Sequence, residues 1–211
     1  MNTLDRELCT RAVDMLAAGF QEAEIRLCGY DGAIGDGDHG TSMLTGFREA
    51  QRSIRASPAA DAGDVFRRTG QAFLESVGGV TGVVFGSFFE AAGIAAAGLP
   101  SLDAGALHRM FAAGMAAAMK RGKAAPGDKC MIDALAPAVE ALRAAGEKGD
   151  SAVTALALAA RAAEAGMQAT IPLEAKVGRA RYQSGKGSGH VDAGAASICL
   201  FFQTRAQAAG E

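Results

Sequence analysis

The sequence contains no tryptophan, two tyrosines and five prolines among its 211 residues. Cysteine is also scarce: Cys9, Cys28, Cys130 and Cys199 lie far apart, so they have neither the paired spacing of a zinc site nor the density of a disulfide scaffold. Charged side chains within residues 1–7 interrupt the stretch where a signal peptide would be apolar. We therefore expect free thiols, no export signal and a cytoplasmic location.

The sequence also lacks an excess of charge of either sign. Its 21 lysines and arginines are scattered and the net charge is −2, so no basic stripe is available to hold a nucleic acid through its phosphates. The longest uncharged apolar run, residues 77–89, is shorter than the ~20 residues needed to cross a bilayer. Neither nucleic acid nor membrane is therefore a predicted partner, whereas small molecules and other proteins are.

Apolar residues recur at helical spacing along most of the chain, and the period-two alternation of strands is absent. An all-α fold is predicted, with Ser101 as the N-cap of a fifth helix that ends at Lys120-Arg121-Gly122. Short links between consecutive helices favour an antiparallel up-and-down bundle or barrel, built as one domain over residues 1–211. The eight predicted helices lie near residues 4–28, 41–56, 62–77, 82–97, 102–121, 130–145, 151–170 and 192–208.

Four polar, glycine-rich turns separate these helices, at residues 31–42, 78–82, 122–133 and 178–194. They follow the first, third, fifth and seventh helices. In an up-and-down array, those links all lie at the same end of the molecule. The fourth belongs to a connection of unusual length, residues 171–190, and long loops inside compact domains are usually functional. The pattern predicts one binding site at one rim.

The first turn gathers three acids, Asp31, Asp36 and Asp38. Two unpaired carboxylates about 4 Å apart repel by about 4 kcal/mol at an effective dielectric constant near 20, so the turn needs a cation. Oxygen ligands on a flexible loop suit a hard divalent ion, and magnesium completed by water and phosphate is the predicted one. A helix beginning near Thr41 would present the N–H groups of Gly40, Thr41 and Ser42 to an anion beside it.

Other interpretations of the glycine-rich turns are weaker. The first turn matches a dinucleotide-binding glycine pattern, but no strand precedes it, and an EF-hand is excluded because Gly40 and Phe47 stand where oxygen ligands are required. A Walker motif at Lys186 fails because Ala180 and Gly187 replace its glycine and its hydroxyl residue. One structural alternative stays open: Asp36 and Asp38 form an Asx-type turn and cap the helix that begins near Thr41.

Outside the first turn, the candidate functional residues are isolated side chains rather than clusters. Lys129 is predicted to be a solvated surface charge, and His108 a rim or core residue rather than a ligand. Arg179 has the planar fork that suits a diphosphate, whereas His190 and Asp192 are equally consistent with fastening the loop to the last helix.

Together, the motifs of the four turns resemble those of the L subunit, the ADP-binding subunit, of dihydroxyacetone kinases, over nearly the whole chain. The resemblance implies an eight-helix antiparallel barrel with the nucleotide at one rim. The motifs that carry it are Asp31-x4-Asp36-Gly37-Asp38-His39-Gly40, Ser76-Val77-Gly78-Gly79, Arg121-Gly122-Lys123-Ala124-x-Pro126-Gly127-Asp128-Lys129, Gly178-Arg179-Ala180 and Gly189-His190-x-Asp192-x-Gly194-Ala195.

The resemblance also implies a site and a reaction. Asp31, Asp36 and Asp38 correspond to the ligands of two magnesium ions that hold the phosphates of ADP or ATP. The implied reaction transfers a phosphoryl group to dihydroxyacetone that is held covalently by a histidine of a separate K subunit, so no substrate-binding histidine is expected in this chain. The positions that correspond to ADP contacts are His39, Gly40, Thr41, Ser42, Val80, Thr81, Gly122, Met131, Arg179, Asp192, Ala193 and Gly194.

An L chain separate from its K subunit is similar to the arrangement in phosphotransferase-type dihydroxyacetone kinases. In those systems ADP stays bound to the L subunit and is rephosphorylated by a phosphohistidine M subunit. Use of exchangeable ATP, action on another small ketose, a homodimer, and a nucleotide-sensing protein without turnover remain open alternatives. Several residues depart from the family pattern around the rim, whereas the three acids do not. These departures are Ser42, Val80, Thr81, Val83, Cys130, Arg181 and Ala193.

Overall fold

A computed structural model describes residues 3–210, and apart from one isolated β-bridge between Leu4 and Leu102 its regular elements in this range are all helices. Two short 3₁₀ turns, Ala180–Tyr182 and Ser184–Gly187, lie in the long connection before the last helix. Within the described residues, no helix is both long and apolar enough to cross a membrane. The eight α-helices are α1 Arg6–Gly32, α2 His39–Ala56, α3 Ala62–Ser76, α4 Gly79–Ala95, α5 Ala104–Gly122, α6 Met131–Lys148, α7 Ala152–Ala169 and α8 Ala193–Gly210.

The helices form a closed ring. Each helix packs against the next along the chain, and α8 returns to pack against α1. Consecutive helices joined by short links run antiparallel, so this neighbour order produces an up-and-down barrel. The prediction of eight antiparallel helices in a barrel is confirmed, and the links after α1, α3, α5 and α7 lie at one rim.

Short polar side chains start several helices. Asp5, Asp61, Asp103 and Ser151 each accept a hydrogen bond from the backbone N–H three residues ahead, at 2.7–3.1 Å. Such caps satisfy one of the free N–H groups at a helix start. The prediction of Ser101 as the cap of α5 is wrong, because Asp103 lies next to the first turn and its carboxylate reaches the Ala106 N–H.

All ten phenylalanines fill the interior of the barrel. Each is buried, and each lies within 6.5 Å of another phenylalanine ring between centroids. Several pairs meet edge to face, as Phe47 and Phe73 do at 5.1 Å, and such pairs contribute about 0.5–1.5 kcal/mol beyond the area they bury. Phenylalanine needs no hydrogen-bond partner, which suits an interior from which tryptophan is absent.

Glycines bring α3 and α4 into backbone contact. A Cβ atom on Gly70 would lie 2.5 Å from the Glu90 nitrogen, and one on Gly93 would lie 2.4 Å from the Arg67 nitrogen. Real Cβ atoms do not approach backbone this closely, so the two helices would have to separate. The chain therefore uses glycine at positions where this helix pair has no room for a side chain.

Gly70→Ala is expected to lower the free energy of unfolding by about 3 kcal/mol, because the obstacle is backbone rather than a movable side chain. The matched control is Gly29→Ala, where a Cβ meets nothing within 4 Å and the helical backbone favours alanine. This control should raise stability by about 0.5 kcal/mol. Urea unfolding of both variants measures the two changes, and equal effects would contradict the packing explanation.

Candidate functional site

A cavity of about 990 Å³ opens at the rim where the four glycine-rich turns meet. Residues from all four turns and from the adjoining ends of α4, α5, α6 and α8 line it. Drug-sized ligands occupy cavities of about 300–1,000 Å³, so this one has room for a nucleotide. Four segments that are distant in sequence thus form one site.

Asp31 organises the first turn. The structure places it in the last turn of α1, which is longer than predicted, and its Oδ2 accepts the backbone N–H groups of Gly37 at 2.8 Å and Asp38 at 3.1 Å. Gly37 has φ +78°, a conformation that disfavours side chains. A Cβ on Gly35 would lie 2.5 Å from Asp31 Oδ1. The glycines therefore let the turn fold around one carboxylate.

The three acids converge, because Asp31, Asp36 and Asp38 each offer a carboxylate oxygen within 4.8 Å of the others. Asp38 precedes α2, yet its side chain makes no capping hydrogen bond, which removes the interpretation of this residue as a helix cap. Asp36 and Asp38 are exposed toward the cavity, and oxygen-only donors at this spacing fit a magnesium ion.

The start of α2 lies beside the acids. The helix begins at His39, two residues earlier than predicted, and the Ser42 N–H already donates to the Asp38 carbonyl at 2.9 Å. Ser42 therefore contributes no free N–H to an anion site, contrary to the sequence-based expectation. Gly40 is buried, since its Cα packs against the Glu24 carbonyl of α1, and the Thr41 hydroxyl donates to Glu24 at 2.8 Å.

His39 is held in one position below the acids. It is buried, and its Nε2 shares a hydrogen bond of 2.8 Å with the Ser197 hydroxyl of α8. Burial lowers the pKa of His39 to about 4, although the charge of Asp31 opposes this shift. The imidazole is therefore neutral near pH 7 and links α2 to α8 beneath the cavity.

Mostly apolar residues from α4 and α6 form another part of the cavity wall. Val80 and Thr81 begin α4, and Val84 and Phe85 follow on the same helical face. Met131 continues this surface at the start of α6. Together these residues provide apolar side-chain surface of the kind that a heterocyclic base contacts.

Arg179 crosses from the fourth turn to the first, where its guanidinium forms an ion pair with Asp36. Asp192 lies at the other end of the same connection and accepts the Ala195 N–H at 2.7 Å, which caps α8. Burial raises the pKa of Asp192 to about 7. Asp192 is thus both a helix cap, as one sequence interpretation proposed, and part of the cavity wall.

Lys129 is where the sequence-based prediction fails most clearly. It was predicted as a solvated charge, but its side chain is 2% exposed and donates to two backbone carbonyls. The neighbouring Cys130 is not ionised, because burial raises the pKa of its thiol to about 12. Lysine is rarely buried, and its position in a glycine-rich turn gives no local signal of burial.

All of the predicted site residues line the cavity except Gly40 and Thr41, which face α1. The structure also adds residues that the sequence analysis did not select. Helical spacing from Thr81 was the signal that would have found Val84 and Phe85. The added lining residues include Ile34, Val84, Phe85, Ala118, Lys123, Lys129, Ile132, Lys176 and Tyr182.

Comparisons with known proteins agree with this architecture. The DAK2 domain matches residues 33–207. The ADP-binding subunit DhaL of the PEP-dependent dihydroxyacetone kinase of Escherichia coli strain K12 is 41% identical over 185 residues, which cover 88% of each chain. The D-erythrulose kinase of Mycolicibacterium smegmatis is 34% identical over 199 residues, which cover 93% of this chain and 34% of that protein.

A solved structure shares the fold. The dihydroxyacetone kinase from C. freundii in complex with AMP-PNP and Mg²⁺ superposes with a TM-score of 0.75 at 26% identity, over 97% of this chain and 34% of that one. This chain thus spans about a third of the length of the C. freundii and M. smegmatis proteins. The resemblance inferred from the sequence motifs is confirmed, and the chain belongs to the DAK2 domain family.

Proposed function

We propose that this protein is the nucleotide-binding L-type subunit of a dihydroxyacetone kinase, acting as one domain over residues 1–211. It passes a phosphoryl group from a magnesium-bound adenine nucleotide to dihydroxyacetone held on a separate K subunit. The observation that carries this proposal is the convergence of Asp31, Asp36 and Asp38 at the mouth of a cavity large enough for a nucleotide. Two similar proteins support it: the E. coli relative is an ADP-binding subunit, and the C. freundii kinase forms a complex with AMP-PNP and Mg²⁺.

In the proposed site, Asp31, Asp36 and Asp38 hold two magnesium ions. Bound magnesium supplies neutralisation and orientation of the nucleotide phosphates. Asp31 has a second task, because its Oδ2 already accepts two backbone N–H groups and so keeps the turn in the shape that presents the other two acids. The free N–H groups at the start of α2 favour the negative phosphates nearby.

The remaining residues orient the nucleotide. Val80, Thr81 and Met131 form the surface against which the base lies, beside Gly122, while Asp192, Ala193 and Gly194 close the cavity at the start of α8. Arg179 reaches the phosphates through its planar fork and stabilises the charge that develops during transfer. His39 positions α2 by its bond to Ser197 and carries no charge near pH 7.

The proposal also names the phosphoryl donor and the acceptor. The E. coli relative is a subunit of a PEP-dependent kinase, which supports retention of ADP as a cofactor that a phosphohistidine M subunit rephosphorylates. The M. smegmatis relative is a D-erythrulose kinase, so a four-carbon ketose is the second candidate acceptor. Some residues that depart from the family pattern, among them Val80 and Ala193, line the cavity, where a change of partner or acceptor would act.

Reconstitution tests the proposal. The protein is mixed with a K subunit of the dihydroxyacetone kinase family, magnesium, and dihydroxyacetone or D-erythrulose, with either ATP or an M subunit and its phosphoryl source as donor. We expect phosphorylated ketose with dihydroxyacetone and the M subunit, and none with Asp38→Asn. Tight ADP binding without product from any donor and acceptor would identify a nucleotide-sensing protein instead.

A further inference from the structure

Lys129 lies where three of the four rim turns meet. Its backbone has φ +58°, a left-handed conformation that is unusual for a residue with a long side chain. From there the side chain runs into the protein, and its Nζ donates to the Thr170 carbonyl and to the His190 carbonyl, each at 2.6 Å. The third turn is therefore bonded to the two ends of the long connection between α7 and α8.

Those two carbonyls bracket the segment that carries Arg179. Thr170 is the C-cap of α7, and its hydroxyl accepts the Asp192 N–H at 3.1 Å. Next to it, the Gly189 N–H donates to the Ile171 carbonyl at 2.7 Å, which brings the ends of the connection together. Lys129 thus fastens the base of a loop whose tip reaches the acids through Arg179.

The loop backbone at Gly187 lies against both the stem of Lys129 and Ile34 of the first turn. A Cβ built on Gly187 would lie 3.1 Å from both Lys129 Cε and Ile34 Cγ2, so the loop backbone packs on these two side chains. Gly187 has φ +75°, which favours glycine. Ile34 belongs to the turn that holds the three acids. The Lys129 side chain therefore contacts the loop at Gly187 as well as at the two carbonyls near its ends.

Burial of the charged Lys129 side chain lowers the stability of the folded protein unless other interactions compensate for the lost hydration. Lys129 is 2% exposed, and among the ion pairs of the described residues none includes it. Burial lowers the pKa of Lys129, while the charges of Asp192 and Asp133 oppose this shift. Hydrogen bonds to the two carbonyls replace water at two of the three N–H donors of the ammonium group.

We propose that Lys129 is a positioning residue of the nucleotide site, which holds the ends of the connection between α7 and α8 together so that Arg179 reaches the acids and Asp192 lines the cavity. The inference rests on the proposed function, since the nucleotide is the ligand whose site the connection completes. Lys129 acts through these neighbours and needs no contact with the phosphates.

Lys129→Met tests this role, because methionine keeps an apolar stem and removes the donor. The magnesium-dependent dissociation constant of ADP, measured by calorimetry, should rise about ten- to a hundredfold. Hydrogen exchange without nucleotide should quicken in peptides covering residues 171–191 and stay unchanged in α4. Lys148→Met, at an exposed lysine in the last turn of α6, is the matched control and should change neither quantity.

Lys129→Gln keeps an amide donor and provides a second variant if the methionine protein does not fold. It should show smaller changes of the same kind. Unchanged ADP affinity and unchanged loop exchange in either folded variant would overturn the inference, as would exchange that quickens equally in α4, since that marks general destabilisation. Failure of the wild-type protein to bind ADP would instead overturn the proposed function, while loop exchange would still report on Lys129.

Discussion

Asp38→Asn is expected to weaken ADP binding in the presence of magnesium by at least about a hundredfold, or about 2.7 kcal/mol. The Asp38 carboxylate lies within 4.8 Å of the other two acids and is exposed to the cavity. Its side chain makes no capping hydrogen bond with α2, so the amide removes a metal ligand and its charge without removing a structural contact. Asp31 is a poorer target, because its carboxylate also holds the turn.

Calorimetry with ADP and magnesium measures this loss. Asp150→Asn, in the link between α6 and α7 at the opposite rim, is the matched control and should bind normally. The Asp38 variant should melt at the wild-type temperature without ligand. Wild-type protein at about 100 times its dissociation constant gains ~2.7 kcal/mol from the nucleotide, and the variant should lose most of this gain. Wild-type affinity in the variant, or binding that survives chelation of magnesium, would contradict the proposed metal bridge.

Arg179→Met should lower the rate of phosphoryl transfer in the reconstituted system by about 10²–10³-fold, with a smaller loss of ADP affinity. Its guanidinium lies at the cavity mouth and already pairs with Asp36. Methionine is of similar length but offers no donors to the charge that develops on the transferred group. The transfer rate of Arg179→Lys should lie between those of the wild type and Arg179→Met, because an ammonium group keeps the charge but not the planar fork.

Arg181→Met is the matched control for this prediction. Arg181 is an exposed arginine two residues away, and its guanidinium lies over the Tyr182 ring at 4.5 Å from the centroid. Single-turnover measurements separate the transfer step from nucleotide binding. Equal rate losses in the two variants would indicate a general effect of positive charge at the rim rather than a specific role of Arg179.

Much of the fold could be predicted because its signals are local. The spacing of apolar residues gives the number and order of the helices, and short links give their antiparallel arrangement, which in turn brings the four turns to one rim. Helix ends were less accurate: α1 continues to Gly32 and α4 begins at Gly79, because polar and glycine residues near a helix end are compatible with either state. Asp103 rather than Ser101 caps α5 for the same reason.

The contacts inside the site depend on residues that are far apart in sequence. Asp31, Asp36 and Asp38 stand out in the chain because three acids in one short turn need a cation, but nothing local shows that one Asp31 oxygen shapes the turn. Lys129 is predicted on the surface because lysine is rarely buried, whereas carbonyls 41 and 61 residues away accept its hydrogen bonds. The residue pattern thus determined the helices, their shared rim and the candidate metal ligands. The closed loop, the burial of Lys129 and the Arg179–Asp36 ion pair could be seen only in the tertiary structure, because these contacts form only after distant segments of the chain meet.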